Sequence, residues 1–206
     1  RGLMVGTGVR APHLVTLPLQ RVQFDGHKID AIFMIRIPLP GGGYQEVVLP
    51  RLWLLVVQDV ATRAILGYHL SLNIEYTKDD IMRCIRNAIE PRPPVQLTIP
   101  KLGAHKNGGI PASVIPELAW AVWAELMYDN GKANLSSWVR TQVAHVLNCA
   151  VNAGPVRSPE RRGIIEALFR VLEEGNFHRL PNTTGSNPQD TRRSDPEKAA
   201  LEFRIT

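Results

Sequence analysis

Residues 123–131 read Trp123-Ala124-Glu125-Leu126-Met127-Tyr128-Asp129-Asn130-Gly131, an apolar run that ends in a turn signal. The run is expected to be buried, and Asn130-Gly131 favours a turn because both residues tolerate positive φ. We therefore expect a core element that carries Asp129 at its carboxyl end, where open α/β sheets place their sites. From this stretch alone, Asp129 is a helix cap, a turn residue or a metal ligand.

With its flanking segments included, the sequence predicts an α/β fold with a five-stranded mixed sheet and helices on both faces. Upstream of the central run, three stretches are typical of an antiparallel meander and precede a helix that Thr77 and Asp80 begin as a capping box. Downstream, a helix, a short strand and the clearest amphipathic helix follow. The alanines of residues 119–128 also suit a helix. The predicted strands are 19–37 (one long strand or a tight hairpin), 52–58, 64–72, 119–128 and 149–153, and the later helices are 135–147 and 159–174.

The predicted domain organisation is one core with two polar flanks. Residues 1–18 are expected to be an extended lead-in, 19–180 the core, and 181–206 a polar tail or a linker to a further domain. Within the core, the Pro- and Gly-containing residues 92–118 are interpreted as an insertion. Because the chain begins at Arg1 without a Met, we expect it to be a fragment whose flanking domains are missing.

Composition narrows the class of protein. The 206 residues are 44% hydrophobic with a net charge of +5, which mildly favours a polyanionic partner. The two cysteines lie far apart, which favours reduced, buried thiols in a cytoplasmic protein. The sequence has no apolar run long enough for a membrane span, no secretory signal and no Cys/His zinc motif.

Three acidic residues stand at diagnostic places: Asp25 on the first strand, Asp129 after the central one, and Glu166 off the apolar stripe of the last helix. If the two strands pair in parallel, Asp25 and Asp129 become neighbours, and a helix packed over them brings Glu166 across. Three carboxylates form a hard-oxygen site suited to Mg²⁺ or Mn²⁺. The alternative for Glu166 is a surface charge network with Arg162 and Arg170.

Other conspicuous side chains are given structural roles. Asp59 is interpreted as a turn residue and His27 as a structural residue that shares the strand face of Asp25. Trp120 and Trp123 are predicted to lie in the core rather than to stack on bases.

Four segments together resemble the catalytic core shared by retroviral integrases and bacterial DDE transposases. The tail Leu180-Pro181-Asn182-Thr183-Thr184-Gly185 and the insertion are most similar to Mu-like transposases and the catalytic subunit of heteromeric bacterial transposons. The resemblance covers residues 20–185, and its last two acids are 37 positions apart. The segments are Val22-Gln23-Phe24-Asp25, Asp59-Val60-Ala61-Thr62-Arg63-Ala64-Ile65-Leu66-Gly67, Asp129-Asn130-Gly131-Lys132 and Ser158-Pro159-Glu160-Arg161-Arg162-Gly163-Ile164-Ile165-Glu166.

The resemblance implies an RNase H-like fold and a polynucleotidyl transferase that cleaves and joins transposon ends. It implies that Asp25, Asp129 and Glu166 are catalytic and hold two Mg²⁺ or Mn²⁺ ions. The partners it implies are DNA, further copies of the chain in the DNA complex, and an ATPase of the transposon. The expected location is the bacterial cytoplasm at the nucleoid, without membrane association.

Basic residues beside the acids are predicted to contact DNA phosphates, namely Lys132, Arg161 and Arg162. Two positions depart from the family pattern. Lys132-Ala133-Asn134 replaces an acidic–aromatic pair, and Ala167 stands where Arg commonly follows the catalytic Glu. Neither affects the three acids. The alternatives are another RNase H-like nuclease such as a resolvase, and a domesticated, non-catalytic DNA-binding scaffold.

Overall fold

The computed structural model describes residues 15–50, 52–93, 103, 108–128, 133–152, 163–185, 189 and 195–203. It contains a five-stranded mixed sheet, a separate two-stranded sheet and helices, as the α/β prediction requires. The strands are β1 (Arg21–Lys28), β2 (Phe33–Pro38), β3 (Tyr44–Leu49), β4 (Trp53–Asp59), β5 (Ile65–Ser71), β6 (Glu125–Met127) and β7 (Ala150–Asn152). The helices are α1 (Lys78–Ile89), α2 (Pro111–Val114), α3 (Ala133–Leu147), α4 (Gly163–Gly175) and α5 (Pro196–Phe203), with 3₁₀ turns at Pro116–Leu118 and Phe177–Arg179.

The main sheet has β1 at its centre. Its strand order is β5-β4-β1-β6-β7, in which β1, β4 and β5 pair antiparallel while β6 and β7 extend the sheet in parallel. The meander and the two parallel strands predicted from the sequence are thus confirmed. The central run contributes only a three-residue strand, β6, because the chain turns at Trp120, which has a φ of 63°.

Each face of the sheet carries its own apolar core. Val22, Phe24 and Leu126 point to the face covered by α1 and α3, whose core also includes Ile85 and Val143. The opposite face packs Leu54 and Val56 against Ile165 and Phe169 of α4. The alternation of β1 therefore places Phe24 under α1 and its neighbours Gln23 and Asp25 under α4.

Residues 19–37, predicted to be one long strand or a tight hairpin, form two strands, β1 and β2, that belong to different sheets. β1 ends at Lys28, the N–H of Ile29 donates to the carbonyl of Leu52 (2.9 Å), and the chain then enters a hairpin made of β2 and β3. The glycine-rich loop between Pro38 and Tyr44 closes that hairpin, and Gly42 and Gly43 both have positive φ there. Strand β3 was not predicted, because its polar residues Gln45 and Glu46 break the apolar pattern.

The segment predicted to be a polar tail begins with buried residues. Asn182 and Thr183 are at most 1% exposed, and the hydroxyl of Thr183 donates to the carbonyl of Asp30 (3.0 Å). Farther on, α5 contacts the β2–β3 hairpin and buries Ala200. These contacts attach Thr183 and α5 to the residues that follow β1, namely Asp30 and the β2–β3 hairpin.

Two tryptophans predicted to be core behave differently. Trp123 is 2% exposed and packs under α1 and α3, as predicted. Trp120 is 59% exposed, so its predicted core position was wrong. The reason is a tertiary contact: its backbone N–H donates to the carbonyl of Ile89 at the end of α1 (2.8 Å), and the backbone turns at Trp120 with a positive φ, which leaves the indole exposed. In the part of the chain that the structure describes, no helix is both long and apolar enough to cross a membrane.

Helix α1 begins with the predicted capping box. The backbone N–H of Asp80 donates to the Thr77 hydroxyl, and the Asp80 carboxylate accepts the Thr77 N–H (2.8 Å). Asp80 is buried, and its carboxylate also accepts hydrogen bonds from the Asn73 amide (3.0 Å) and lies 3.1 Å from the ring nitrogen of His69. Burial alone would raise the pKa of Asp80, but the hydrogen bonds from Thr77, Asn73 and His69 outweigh it and hold that pKa well below its usual range.

We expect Asp80→Asn to make the protein less stable by about 2–3 kcal/mol at neutral pH, because several donors lose a charged acceptor. A depressed folded-state pKa stabilises the fold above the unfolded value of 3.8 and loses this contribution as the pH falls below it. Urea unfolding at pH 6 and pH 3 should therefore show a larger acid-induced loss in the wild type than in the variant. Equal losses in both proteins would contradict the assignment.

Candidate active site

Asp25 lies on the middle strand of the sheet, on the face covered by α4. It pairs with Val56 of β4, is half-buried, and accepts the backbone N–H of Gly26 through Oδ1 (2.8 Å). Gln23 and His27 share its face at two-residue spacing, as the sequence predicts. The antiparallel pairing with β4 fixes the position of the Asp25 backbone, and β6 pairs with β1 just before it, at Arg21 to Gln23.

Two contacts place α4 along this face of β1. Near the start of the helix, the N–H of Ile165 donates to Oε1 of Gln23 (3.3 Å). One turn later, the ring of Phe169 stacks on that of His27, with centroids 4.8 Å apart and an interplanar angle of 18°. The helix therefore runs in the same direction as β1, and Asp25 lies between its two points of attachment.

Glu166 lies in the first turn of α4 and is exposed. It directly follows Ile165, so it lies on α4 between the residue that contacts Gln23 and the residue that contacts His27. Ile165, Leu168, Phe169 and Leu172 pack against the sheet, which confirms the predicted apolar stripe. The structure thus brings together the elements of two of the three predicted acids.

The element that precedes the third acid is also beside β1. Strand β6 runs parallel to β1 and pairs Met127 with Gln23, so both strands run toward the same end of the sheet. Leu126 and Tyr128 face the other core, which leaves Met127 on the α4 side. Asp129 itself lies outside the described residues, as do Lys132, Arg161 and Arg162. Their predicted roles stay predictions.

A network of polar side chains, which the sequence analysis missed, connects three strands on the same face of the sheet. Glu125 of β6 accepts from Nε of Arg21 on β1 and from the amide of Asn152 on β7 (2.8 Å). Gln23, which holds the start of α4, was also missed. Arg21 and Gln23 could have been found from their spacing, because they precede Asp25 at two-residue intervals and therefore share its face of the strand.

His27 has the structural role that was predicted. Its Nε2 lies 2.8 Å from Oε1 of Glu173, and its ring is covered by Phe169. These contacts hold the later half of α4 against β1.

Asp59 is confirmed as a turn residue. It is 1% exposed and its carboxylate accepts the N–H of Leu19 (2.9 Å), the N–H of Thr62 (2.8 Å) and the Thr62 hydroxyl (2.7 Å). Its pairing opposite Val22 puts it on the face away from Asp25. The turn between β4 and β5 and the entry to β1 are therefore joined by one buried carboxylate.

We expect Asp59→Ala to lower the free energy of unfolding by about 2–4 kcal/mol, because three donors lose their acceptor in a buried place. Metal-dependent DNA cleavage per folded molecule should be unchanged. Chemical denaturation and a cleavage assay below the unfolding transition measure the two effects. The exposed Asp79→Ala serves as the control, with an expected loss under ~1 kcal/mol. A folded but inactive Asp59→Ala protein would show that Asp59 belongs to the site.

Both cysteines are buried and unpaired with each other, as predicted. Burial raises the pKa of the Cys84 and Cys149 thiols above the ordinary value. Neither thiol is therefore suited to act as a nucleophile, because the thiolate is the reactive form.

The structure thus combines a five-stranded mixed sheet, a carboxylate on its central strand and an amphipathic helix, α4, that packs along this strand. Residues 23–182 match the family described as TnsB C-terminal domain. The chain therefore belongs to the TnsB C-terminal domain family, which makes it a transposase-related domain and implies a role in binding DNA. No curated protein matches the chain.

Proposed function

We propose that this chain is the RNase H-like catalytic core of a DDE transposase and carries out metal-dependent DNA strand cleavage and strand transfer at transposon ends. One observation carries the proposal. The contacts from Gln23 to Ile165 and from His27 to Phe169 hold α4 along the central strand, so that the elements bearing Asp25 and Glu166 meet on one face.

The topology supports the RNase H-like assignment. In the main sheet, the antiparallel strands β1, β4 and β5 precede the parallel strands β6 and β7 in the chain. Strand β1 lies at the centre, with β4 and β5 on one side and β6 and β7 on the other. Each parallel addition follows a crossover that contains a helix, α1 before β6 and α3 before β7. The family match to residues 23–182 spans this whole sheet.

The donor set fits a pair of hard divalent cations. Asp25 is half-buried on rigid backbone, Glu166 is exposed at the rim, and carboxylate oxygens are the ligands that Mg²⁺ and Mn²⁺ prefer. With Asp129, these residues would hold two ions, which in such sites activate the attacking oxygen and stabilise the leaving one. The register of β6 with β1 is what would bring Asp129 to Asp25.

In this mechanism the protein's own residues bind the metal ions and orient the reacting groups. Asp25 is positioned by the pairing of its strand with β4 and by its hydrogen bond with Gly26, whereas the position of Glu166 depends on the contact of α4 with Gln23. The attacking group is water in end cleavage and a DNA 3′-hydroxyl in joining, so no side-chain nucleophile is required. DNA, further copies of the chain in the DNA complex and an ATPase of the transposon are the proposed partners, at the nucleoid in the cytoplasm.

The test is a two-stage assay with the 206-residue chain, a labelled duplex and Mg²⁺ or Mn²⁺. The proposal expects metal-dependent nicking that leaves a 3′-hydroxyl, followed by joining of that end to a second duplex. EDTA should abolish both steps, and titration of Mn²⁺ binding should show sites that depend on Asp25.

The outcomes distinguish the alternatives. Cleavage without joining identifies an RNase H-like nuclease such as a resolvase. DNA binding with neither cleavage nor metal binding identifies a non-catalytic scaffold. Either result contradicts the proposal.

A further inference from the structure

A second cluster of ligand-type side chains lies at the other end of α4, beyond His27. It consists of Asp30 after β1, Glu173 near the end of α4, and His178 in the following 3₁₀ turn. One possible ligand atom from each of the three residues lies within 4.8 Å of the other two. Glu173 and His178 are buried, 5% and 7% exposed, whereas Asp30 is half-buried.

Glu173 has one oxygen satisfied and one that is not. Oε1 lies 2.8 Å from Nε2 of His27 and accepts the backbone N–H of Asp30 (3.1 Å). Oε2 is buried and has no hydrogen-bond partner among the described residues, although it is directed at the cluster. A buried carboxylate oxygen without a partner is costly and calls for a bound group.

The separations suit a metal ion better than hydrogen bonds. Nε2 of His178 lies 3.5 Å from Oδ2 of Asp30 and 3.6 Å from Oε2 of Glu173. Charged hydrogen bonds of this type are about 2.7–2.9 Å long. In a tetrahedral zinc site with ligand bonds of about 2.0–2.2 Å, neighbouring ligand atoms are about 3.3–3.6 Å apart.

The cluster also has supporting contacts of the kind that metal sites use. His27 and the backbone N–H of Asp30 hold Glu173 through Oε1, which leaves Oε2 directed at the cluster. The backbone of Asp30 is fixed in turn, because its carbonyl accepts from Thr183 (3.0 Å) and from the N–H of Thr184 (2.9 Å). The exposed part of Asp30 provides a route from solvent.

We propose that Asp30, Glu173 and His178 bind one divalent transition-metal ion, Zn²⁺, at a site separate from the catalytic acids. One imidazole and two carboxylates are ligands of borderline to hard character, and they leave a fourth position for water. The ion joins the end of β1, the end of α4 and the following turn, and so stabilises the helix that presents Glu166.

The experiment titrates Zn²⁺ into the metal-free 206-residue chain against a competing chelator, with thermal unfolding in parallel. The wild type should bind one ion tightly and unfold at a higher temperature with it. Asp30→Asn and His178→Gln should each weaken binding by at least about tenfold and lose the thermal shift. The exposed Asp79→Asn should bind like the wild type.

Asp30→Asn keeps the test decisive if His178→Gln fails to fold, because Asp30 is half-buried and its backbone contacts remain. Anomalous scattering at the zinc edge from a soaked crystal should place the ion between the three side chains. Absence of tight binding, or equal binding by Asp30→Asn and the wild type, would overturn the proposal and leave the cluster as a hydrogen-bonded network.

Discussion

Replacing Asp25 with asparagine is expected to lower the rate of metal-dependent DNA cleavage by about 10³-fold, equivalent to about 4 kcal/mol of transition-state stabilisation. Asparagine has nearly the same shape and retains an oxygen that can accept the Gly26 N–H, but it removes the ligand charge. Because β4 and β6 fix the backbone of β1, the fold should remain intact. Asp129→Asn and Glu166→Gln should have effects of the same order.

Single-turnover cleavage with saturating Mn²⁺ measures this effect, and circular dichroism with thermal unfolding verifies the fold. Glu174→Gln is the matched control for Glu166→Gln, since Glu174 is an exposed glutamate on the same helix. Asp79→Asn is the control for Asp25→Asn. Cleavage by Asp25→Asn at the wild-type rate would remove Asp25 from the site and with it the proposed mechanism.

Gly67→Ala is expected to produce the largest loss of stability, at least about 3 kcal/mol. A Cβ at Gly67 would lie 2.5 Å from both Cα and N of Ala88 in α1. These are backbone atoms, so the clash cannot be relieved by rotating a side chain. Helix α1 would have to move away from β5, which would open the core around Leu66 and Ile85.

Urea denaturation gives the size of this effect. Gly41→Ala is a suitable control, because a Cβ at Gly41 meets no atom within 4 Å and its backbone is not left-handed. It should change the free energy of unfolding by less than ~1 kcal/mol. If Gly67→Ala proved as stable as Gly41→Ala, the close approach of α1 to β5 would be disproved.

The elements whose signals are local could be predicted from the amino-acid sequence. The capping box of Thr77 and Asp80, the apolar stripe of α4 and the Asx-type turn at Asp59 each depend on residues within a few positions of one another. The two-residue period also placed His27 on the face of Asp25. Such features are predictable because hydrogen bonds and side-chain periodicity within one element need no distant partner.

Which elements come into contact depends on long-range packing and could not be predicted from local signals. Nothing local shows that Gln23 receives the N–H of Ile165, or that Glu173 and His178 come beside Asp30 from more than a hundred residues away in the sequence. Long-range packing also accounts for the exposure of Trp120 and for the pairing of β2 with β3 in a separate sheet. Long-range packing selects among conformations that each segment allows. Here it set α4 on β1, and that placement is the basis of both proposed sites.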